Sequence, residues 1–390
     1  MNIGIKLFLK KLLHNNLIGM IMQYWYQIKE YKSNNNLKKI LGQRPRERDN
    51  VAIALDKGRG DFLLFAYYLE EIIKYYEKQE KYVYVICDSY SKEFLSICNH
   101  NIKNLIIVER KTKKCLYDEE LVSKYGNFFE ILILPLDTIS KYHCNLIRNL
   151  NPVCVYSVGK NMRTIRGISR TDFRTIDKIT IFEDTNRGLY AERHRMFTQN
   201  LINKKQELKL INIEVDTRKE ICEEYYVVNI GASSTTKVWP LEYVKKLLEL
   251  ISSSSSAKAI VIGNATEDNV RFLKDAKISC DYLNIFDLEK TIDICKNAKF
   301  VITNDTGIYH LSVCLQVPTY VISAGSYIEQ FIPYPQELRK EKVFYIMPHE
   351  TCQTCQKQLS CYLRRKQGKV LSCLESISPE YVFQYLEPSK

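Results

Sequence analysis

Residues 301–325 read VITNDTGIYHLSVCLQVPTYVISAG. An apolar strand runs into a polar turn, Asn304-Asp305-Thr306-Gly307. A helical stretch with His310 follows, and then a second apolar strand. Strand, turn, helix and strand in this order make a parallel α/β unit. The turn admits two readings. Asp305 or Thr306 can cap the orphan N–H groups of the helix. The same N–H groups, with the positive end of the helix dipole, also suit a phosphate.

Working outward, the first strand of this stretch begins at KFVITND (299–305), and three more runs belong to the same series: YYVVNIGA (225–232), KAIVIGN (258–264) and CDYLNIF (280–286). An earlier series comprises VAIAL (51–55), YVYVICD (82–88), NLIIVE (104–109), FEILILPLD (129–137), VCVYSVG (153–159) and ITIFED (179–184). Helical patterns lie between the earlier runs, notably over 61–79. The fold class expected is α/β, with two Rossmann-like doubly wound units in tandem. Ligands of such units sit at strand C-termini and in the cleft between the domains. The charged stretch 186–221 reads as a largely helical bridge.

The chain has 390 residues, 45% of them apolar, and a formal net charge of +12. Two domains fit this length at ~150 residues each. No uninterrupted apolar run reaches the ~18 residues that a membrane span needs. The charge is uneven: residues 1–48 hold ten Lys or Arg against two Glu. Within them, residues 3–28 show amphipathic helical spacing, with Ile5, Phe8, Leu9 and Leu12 on one face and Lys6 and Lys10 on another. That pattern suits an anionic membrane surface or a packed protein helix. The following KSNNNLKKILGQRPRERDN reads as a polar linker. The N-terminus lacks a cleavable signal pattern. Nine of the thirteen Cys are scattered, several within apolar runs, as small core residues are. A reduced, cytoplasmic chain is expected. Segments therefore divide as 1–48 (basic helix and linker), 49–205 and 206–345 (the two α/β units), and 346–390 (a Cys-rich tail and final helix).

Three strand ends carry residues suited to chemistry. After VAIAL, a glycine turn leads to Asp61 at a helix start, either a cap or a carboxylate able to take a proton from a hydroxyl. After YYVVNI come small residues, then Ser233, Ser234, Thr235, Thr236, Lys237 and Trp239-Pro240. Hydroxyls and an ammonium are donors for phosphate oxygens, and Pro suits a helix start. At the third, Thr306 and Gly307 offer N–H groups, Asp305 a carboxylate for a sugar hydroxyl or for the loop itself, and His310 lies one turn on. Neither GxGxxG nor GxxxxGK[ST] is present.

GASSTTKVWPLEYV and VITNDTGIYHLSVCLQVPTYVISAGS resemble the two signature segments of glycosyltransferase family 9, the heptosyltransferases of lipopolysaccharide core assembly and their relatives. GRGDFLLFAYYLEEI resembles the Gly-Asp segment near that family's N-terminus. The resemblance spans roughly residues 50–385 and is weakest through 90–220. It implies a GT-B fold, with residues 49–205 as the acceptor domain, 206–345 as the nucleotide-sugar domain, and no metal or other cofactor required for catalysis. Carried over, Asp61 matches the general base, Lys237 the donor-phosphate lysine, and Asp305, Thr306 and Gly307 the donor-binding turn. Glu267 aligns loosely with an acidic residue near the donor ribose. The chain departs from the pattern at Arg59, where the family has an apolar residue, and at Tyr309, where it has a small one.

The activity implied is inverting transfer of a sugar, with heptose a family-level guess, from a nucleoside-diphosphate sugar to a glycolipid hydroxyl. An ADP-sugar is the favoured donor, a lipopolysaccharide-type glycolipid the acceptor, and the cytosolic face of the inner membrane the place of action. Alternatives are another donor sugar or a protein acceptor, a degenerate transferase that only binds glycans, and a zinc-containing nucleic-acid-binding protein. The last rests on the net charge and on Cys352, Cys355, Cys361 and Cys373, whose first pair has C-x2-C spacing. No RNA- or DNA-binding module is recognisable, so a nucleic-acid partner is not expected. The four cysteines are candidates for structural zinc, free thiols or disulfides. The final helix, from CLESISPEYV, is a candidate to cross back onto the N-terminal domain.

Overall fold

The computed structural model describes residues 32, 35–55, 59–98, 102–108, 118–159, 161–162, 170–182, 188–214, 224–232, 234–263, 267–274, 280–283, 287–325, 328, 330–339, 342–348, 361, 367 and 369–386. The amphipathic stretch 3–28 lies outside the described residues.

The first sheet has β1 (Asn50–Leu55), β2 (Tyr82–Cys87), β3 (Asn104–Ile107), β4 (Ile131–Leu134), β6 (Cys154–Ser157) and β8 (Ile179–Thr180). Its order is β3-β2-β1-β4-β6-β8, while β5 (Thr138–Ile139) and β7 (Asn161–Met162) form a separate pair. The second sheet has β9 (Tyr225–Asn229), β10 (Lys258–Ile262), β11 (Cys280–Leu283), β12 (Val301–Asn304), β13 (Thr319–Ile322) and β14 (Val343–Ile346). Its order is β11-β10-β9-β12-β13-β14. Pairing is parallel, with Val227 opposite both Ile260 and Val301. Strands buried on both faces read as continuous apolar runs, which is why they were legible. Val51, Ala52, Ile53, Val227, Val301 and Val321 are all fully buried. Two doubly wound parallel sheets with helices are the fold class expected.

The described residues fall into two compact units. One lies within Met1–Ala54, Tyr76–Ile86 and Val108–Ile181, the other within Leu55–Tyr75, Cys87–Ile107 and Phe182–Lys390. Most of the helix Arg59–Glu77 therefore belongs with the second sheet, and its Leu64 shares a core cluster with Tyr309, Val321, Ile332 and Tyr334. Three local expectations are corrected. Part of the polar linker is helical, over 35–42, because Leu37 buries at helical spacing and Asn127 Nδ2 donates to Leu41 O at 2.8 Å and Arg44 O at 3.0 Å. Among the described residues of the bridge, 188–214, the helix is Tyr190–Ile202, and Asn203, in the left-handed region at φ 49°, stops it. The final helix Pro379–Leu386 instead packs within the second unit, on helix Leu241–Ser254, burying Val382 and Leu386 with Leu247, Leu248 and Trp239. Among the described residues, no helix is long and apolar enough to cross a membrane.

Candidate functional site

In the second sheet β9 pairs with β10 on one side and β12 on the other. The chain reverses its direction of winding between β9 and β12. That is the place where open parallel sheets bind ligands, outside the strand C-termini. The residues there follow from the two strand ends. Asn229 closes β9 and Asn304 closes β12, and both are buried. Asn229 Nδ2 donates to Gly231 O (3.2 Å), Thr303 Oγ1 (3.0 Å) and Thr306 Oγ1 (3.1 Å). Asn304 Oδ1 accepts from Trp239 N at 3.1 Å. These amides tie the two turns together; the sequence places Asn304 in the polar turn but gives neither amide a role. Their only sequence signal is polarity at the end of an otherwise apolar strand. Gly263, after β10, has φ 121°, and a Cβ there would stand 2.6 Å from Gly231 N. The site wall thus requires glycine at that position.

The hydroxyl run folds into a turn that aims Lys237 inward. Ser234 Oγ lies 2.8 Å from Thr236 Oγ1, and Thr235–Lys237 form one turn of 3₁₀ helix. Lys237 Nζ donates to Asp305 Oδ2 at 3.1 Å and to Asp305 O at 3.3 Å. The lysine side chain is 17% exposed and the aspartate 3%. Burial raises the Asp305 carboxyl above the usual range, and Lys237 opposes that shift. Ser233 and the side chain of Thr235 lie outside the described residues.

The two roles open to the Asn304–Gly307 turn are divided between its side chains. Thr306 is the helix cap: its Oγ1 accepts from Ile308 N at 3.3 Å at the start of helix Gly307–Cys314. Asp305 turns away from the cap to meet Lys237. The helix N-terminus, an ammonium and backbone at close approach are therefore within one turn of each other, an arrangement suited to a diphosphate. His310 is buried on the same helix, its Nδ1 hydrogen-bonded to the Tyr334 hydroxyl. Burial pulls its pKa down to about 3, so the ring is neutral. A Cβ at Gly60 would stand 3.0 Å from His310 Nε2 and closer still to Cδ2. The backbone next to Asp61 thus approaches the histidine face directly. Asp61 itself, half-buried, stands in the first turn of helix Arg59–Glu77.

Glu267 opens helix Glu267–Lys274, and its side chain lies outside the described residues. Cys352 and Cys355 also lie outside them. Cys373 is 4% exposed in the core that holds Trp239 and Leu374, and Cys361 packs against that core. Among the described residues no group of three or more His, Cys, Asp or Glu could hold a metal. The four-cysteine set therefore stands on its sequence spacing. The tail does brace the site: Trp239 Nε1 donates to Ile377 O at 2.9 Å.

Residues 179–363 match the family model for glycosyltransferase family 9 (heptosyltransferase). No curated protein matches the chain in sequence. In structure it is similar to Escherichia coli heptosyltransferase WaaC with ADP-2-deoxy-2-fluoro heptose, at 15% identity and a TM-score of 0.58, over 87% of this chain and 100% of that one. It is similar to E. coli ADP-heptose lps heptosyltransferase II, at 13% identity and 0.59, over 87% and 98%. A glycosyl transferase family 9 protein from Veillonella parvula gives 15% and 0.59, over 87% and 97%. The structural likeness bears out the GT-B fold class, and the family match bears out the resemblance read from the two signature segments.

Proposed function

We propose that this chain, which carries the glycosyltransferase family 9 domain and is thereby a transferase, moves a sugar from an ADP-sugar to a hydroxyl of a glycolipid with inversion at the anomeric carbon. One observation carries the reading: the Lys237–Asp305 pair, 3.1 Å apart and buried, lies against the N-terminus of helix Gly307–Cys314 at the switch point of the second sheet. Departure of a nucleoside diphosphate builds negative charge on its phosphates. Lys237, the hydroxyls of Ser234 and Thr236 and the helix N-terminus stabilise that charge without having to reorganise. Asp61 takes the proton from the acceptor hydroxyl as its oxygen attacks the anomeric carbon opposite the departing phosphate. Heptose as the sugar is supported by the ADP-2-deoxy-2-fluoro heptose held by the structurally similar WaaC and by the match to a heptosyltransferase family. A lipopolysaccharide-type acceptor at the inner membrane is supported by the basic, amphipathic residues 1–48.

A thermal-shift panel of nucleoside diphosphates and nucleotide sugars tests this, run on the wild type, Lys237→Ala and Asp61→Asn. Ligand binding raises the midpoint by mass action. The expected result is a shift with ADP that Lys237→Ala loses and Asp61→Asn keeps, while Asp61→Asn loses ~10²–10⁴-fold in transfer rate. A folded wild type that shifts with no nucleotide overturns the donor site.

A further inference from the structure

The segment after β13 supplies two contacts to the site that neither the cap nor the ion pair explains. Phe331 and Tyr334 stand on either side of Ile332-Pro333. The Phe331 ring stacks on Tyr190, with centroids 4.4 Å apart and planes 21° from parallel, and Lys237 Nζ lies 5.3 Å from the Phe331 centroid. Arg193 closes the far end of the column, 4.9 Å above Tyr190. Two cations thus flank an aromatic pair. A ring held by Tyr190 on one side and facing the ammonium is placed to hold that ammonium through its quadrupole. The column is anchored by backbone: Tyr190 N donates to Gln330 O at 2.8 Å.

Tyr334 performs the second task. It is 1% exposed, its backbone N donates to the Tyr345 hydroxyl at 2.9 Å, and Tyr345 meets the Tyr309 hydroxyl at 2.9 Å. The Tyr309 ring lies against that of Tyr334, with centroids 5.0 Å apart. The Tyr334 hydroxyl lies on His310 Nδ1, and its O–H is a donor that a neutral ring can accept there. A neutral imidazole that accepts at Nδ1 carries its proton on Nε2, the atom facing Gly60 and the start of the Asp61 helix.

We propose that residues 330–334 are the positioning element of this site: Phe331 holds Lys237 against Asp305, and Tyr334 fixes His310 as the Nε2–H tautomer aimed at the Gly60–Asp61 turn. The inference rests on the donor site proposed above for its ligand, and both residues are positioning residues. Ile332, fully buried in the cluster with Leu64 and Tyr309, keeps the element in place.

The test uses the full chain with Phe331→Leu, Phe331→Tyr and Tyr334→Phe. ADP affinity is measured by calorimetry, and ¹⁵N spectra of ligand-free protein report the ring nitrogens of His310 and the ring-current shift at Lys237 Hε. His310→Gln and Lys237→Ala assign the signals. Phe331→Leu is expected to weaken ADP binding ~2- to 30-fold and to abolish the ring-current shift, with Phe331→Tyr restoring both. Tyr334→Phe is expected to abolish the fixed Nε2–H pattern and to lower the transfer rate while ADP affinity stays within about twofold. Unchanged spectra in folded Phe331→Leu or Tyr334→Phe overturn the corresponding contact. Should the wild type bind no ADP, the donor reading fails and the ligand-free spectra alone decide the positioning.

Discussion

Each compact unit buries a carboxylate against basic side chains, and the two are handled differently. Asp172, fully buried in helix Arg170–Asp177, meets Lys141 Nζ at 2.9 Å and Arg148 NH1 at 3.0 Å from helix Lys141–Leu150. Two cations on one carboxylate join two helices. Asp305 is as deeply buried, but among the described residues the cation paired with it is Lys237. That lysine also faces an aromatic ring and the positive end of a helix. One cluster is closed on itself; the other sits at a switch point with donors directed to where a ligand enters. Burial of charge does not mark a functional site by itself. What marks it is where the charges stand in the topology.

The largest effect is expected at Asp172. Asp172→Ala leaves two cations in the interior and is expected to cost ~3–5 kcal/mol in denaturant unfolding. The ADP affinity of the folded protein should be unchanged. A loss below ~1 kcal/mol would mean that this cluster does not hold the first unit together.

Next in size is Lys237→Ala, expected to weaken ADP binding ~10- to 100-fold by calorimetry, the worth of a charge-assisted contact. Its stability cost should stay below that of Asp172→Ala and should shrink as pH falls. The reason is that the Asp305 carboxyl, already pushed up by burial, escapes an unpaired charge by taking a proton.

A third test is the pH dependence of stability in His310→Gln. His310 is pulled down to about 3 when folded, against about 6.5 unfolded. Between those values the unfolded chain binds the extra proton. The stability this residue contributes is therefore complete above pH ~6.5 and is lost as pH falls toward ~3. The wild type should lose up to ~1.4 kcal/mol per pH unit in that window relative to the variant. Parallel curves would show a ring that takes up its proton alike in the folded and unfolded chain.

The smallest effect is expected from Asp305→Asn, and its sign is opposite. A carboxyl raised in the fold holds its proton more tightly there than in the unfolded chain. Its contribution is greatest below its unfolded pKa and declines as pH rises through the folded one. In thermal melts the variant should flatten that decline as pH rises above the ordinary carboxylate range.

The strands were legible because parallel strands buried on both faces are continuous apolar runs, and β1, β9, β12 and β13 appear where those runs lie. The candidate site was legible where local chemistry stands next to a strand end: Lys237 after β9, and the Asp305–Gly307 turn after β12. The helix at 35–42 was missed because Asn and Lys dominate its composition, while Leu37 buries beneath them. Phe331, Tyr334 and Tyr190 were missed for another reason. Nothing in FIPYP or in LYAERH announces a partner that lies far away in the chain.

By itself, the sequence determined the alternation of strands and helices, the placement of polar turns at strand ends, and the motifs that resemble glycosyltransferase family 9. Those features are local: periodicity, capping and spacing act over a few residues, so they can be read in order. Only the tertiary structure decided that Asp305 pairs with Lys237, 68 residues earlier, while Thr306 alone caps the helix. Only it placed Gly60 against His310 and set Phe331 beneath the lysine. Such pairings depend on distances of a few ångströms between residues far apart in the chain. Hydrogen bonds, ion pairs and ring contacts decay over that range, and the folding of the second sheet brings their partners within it.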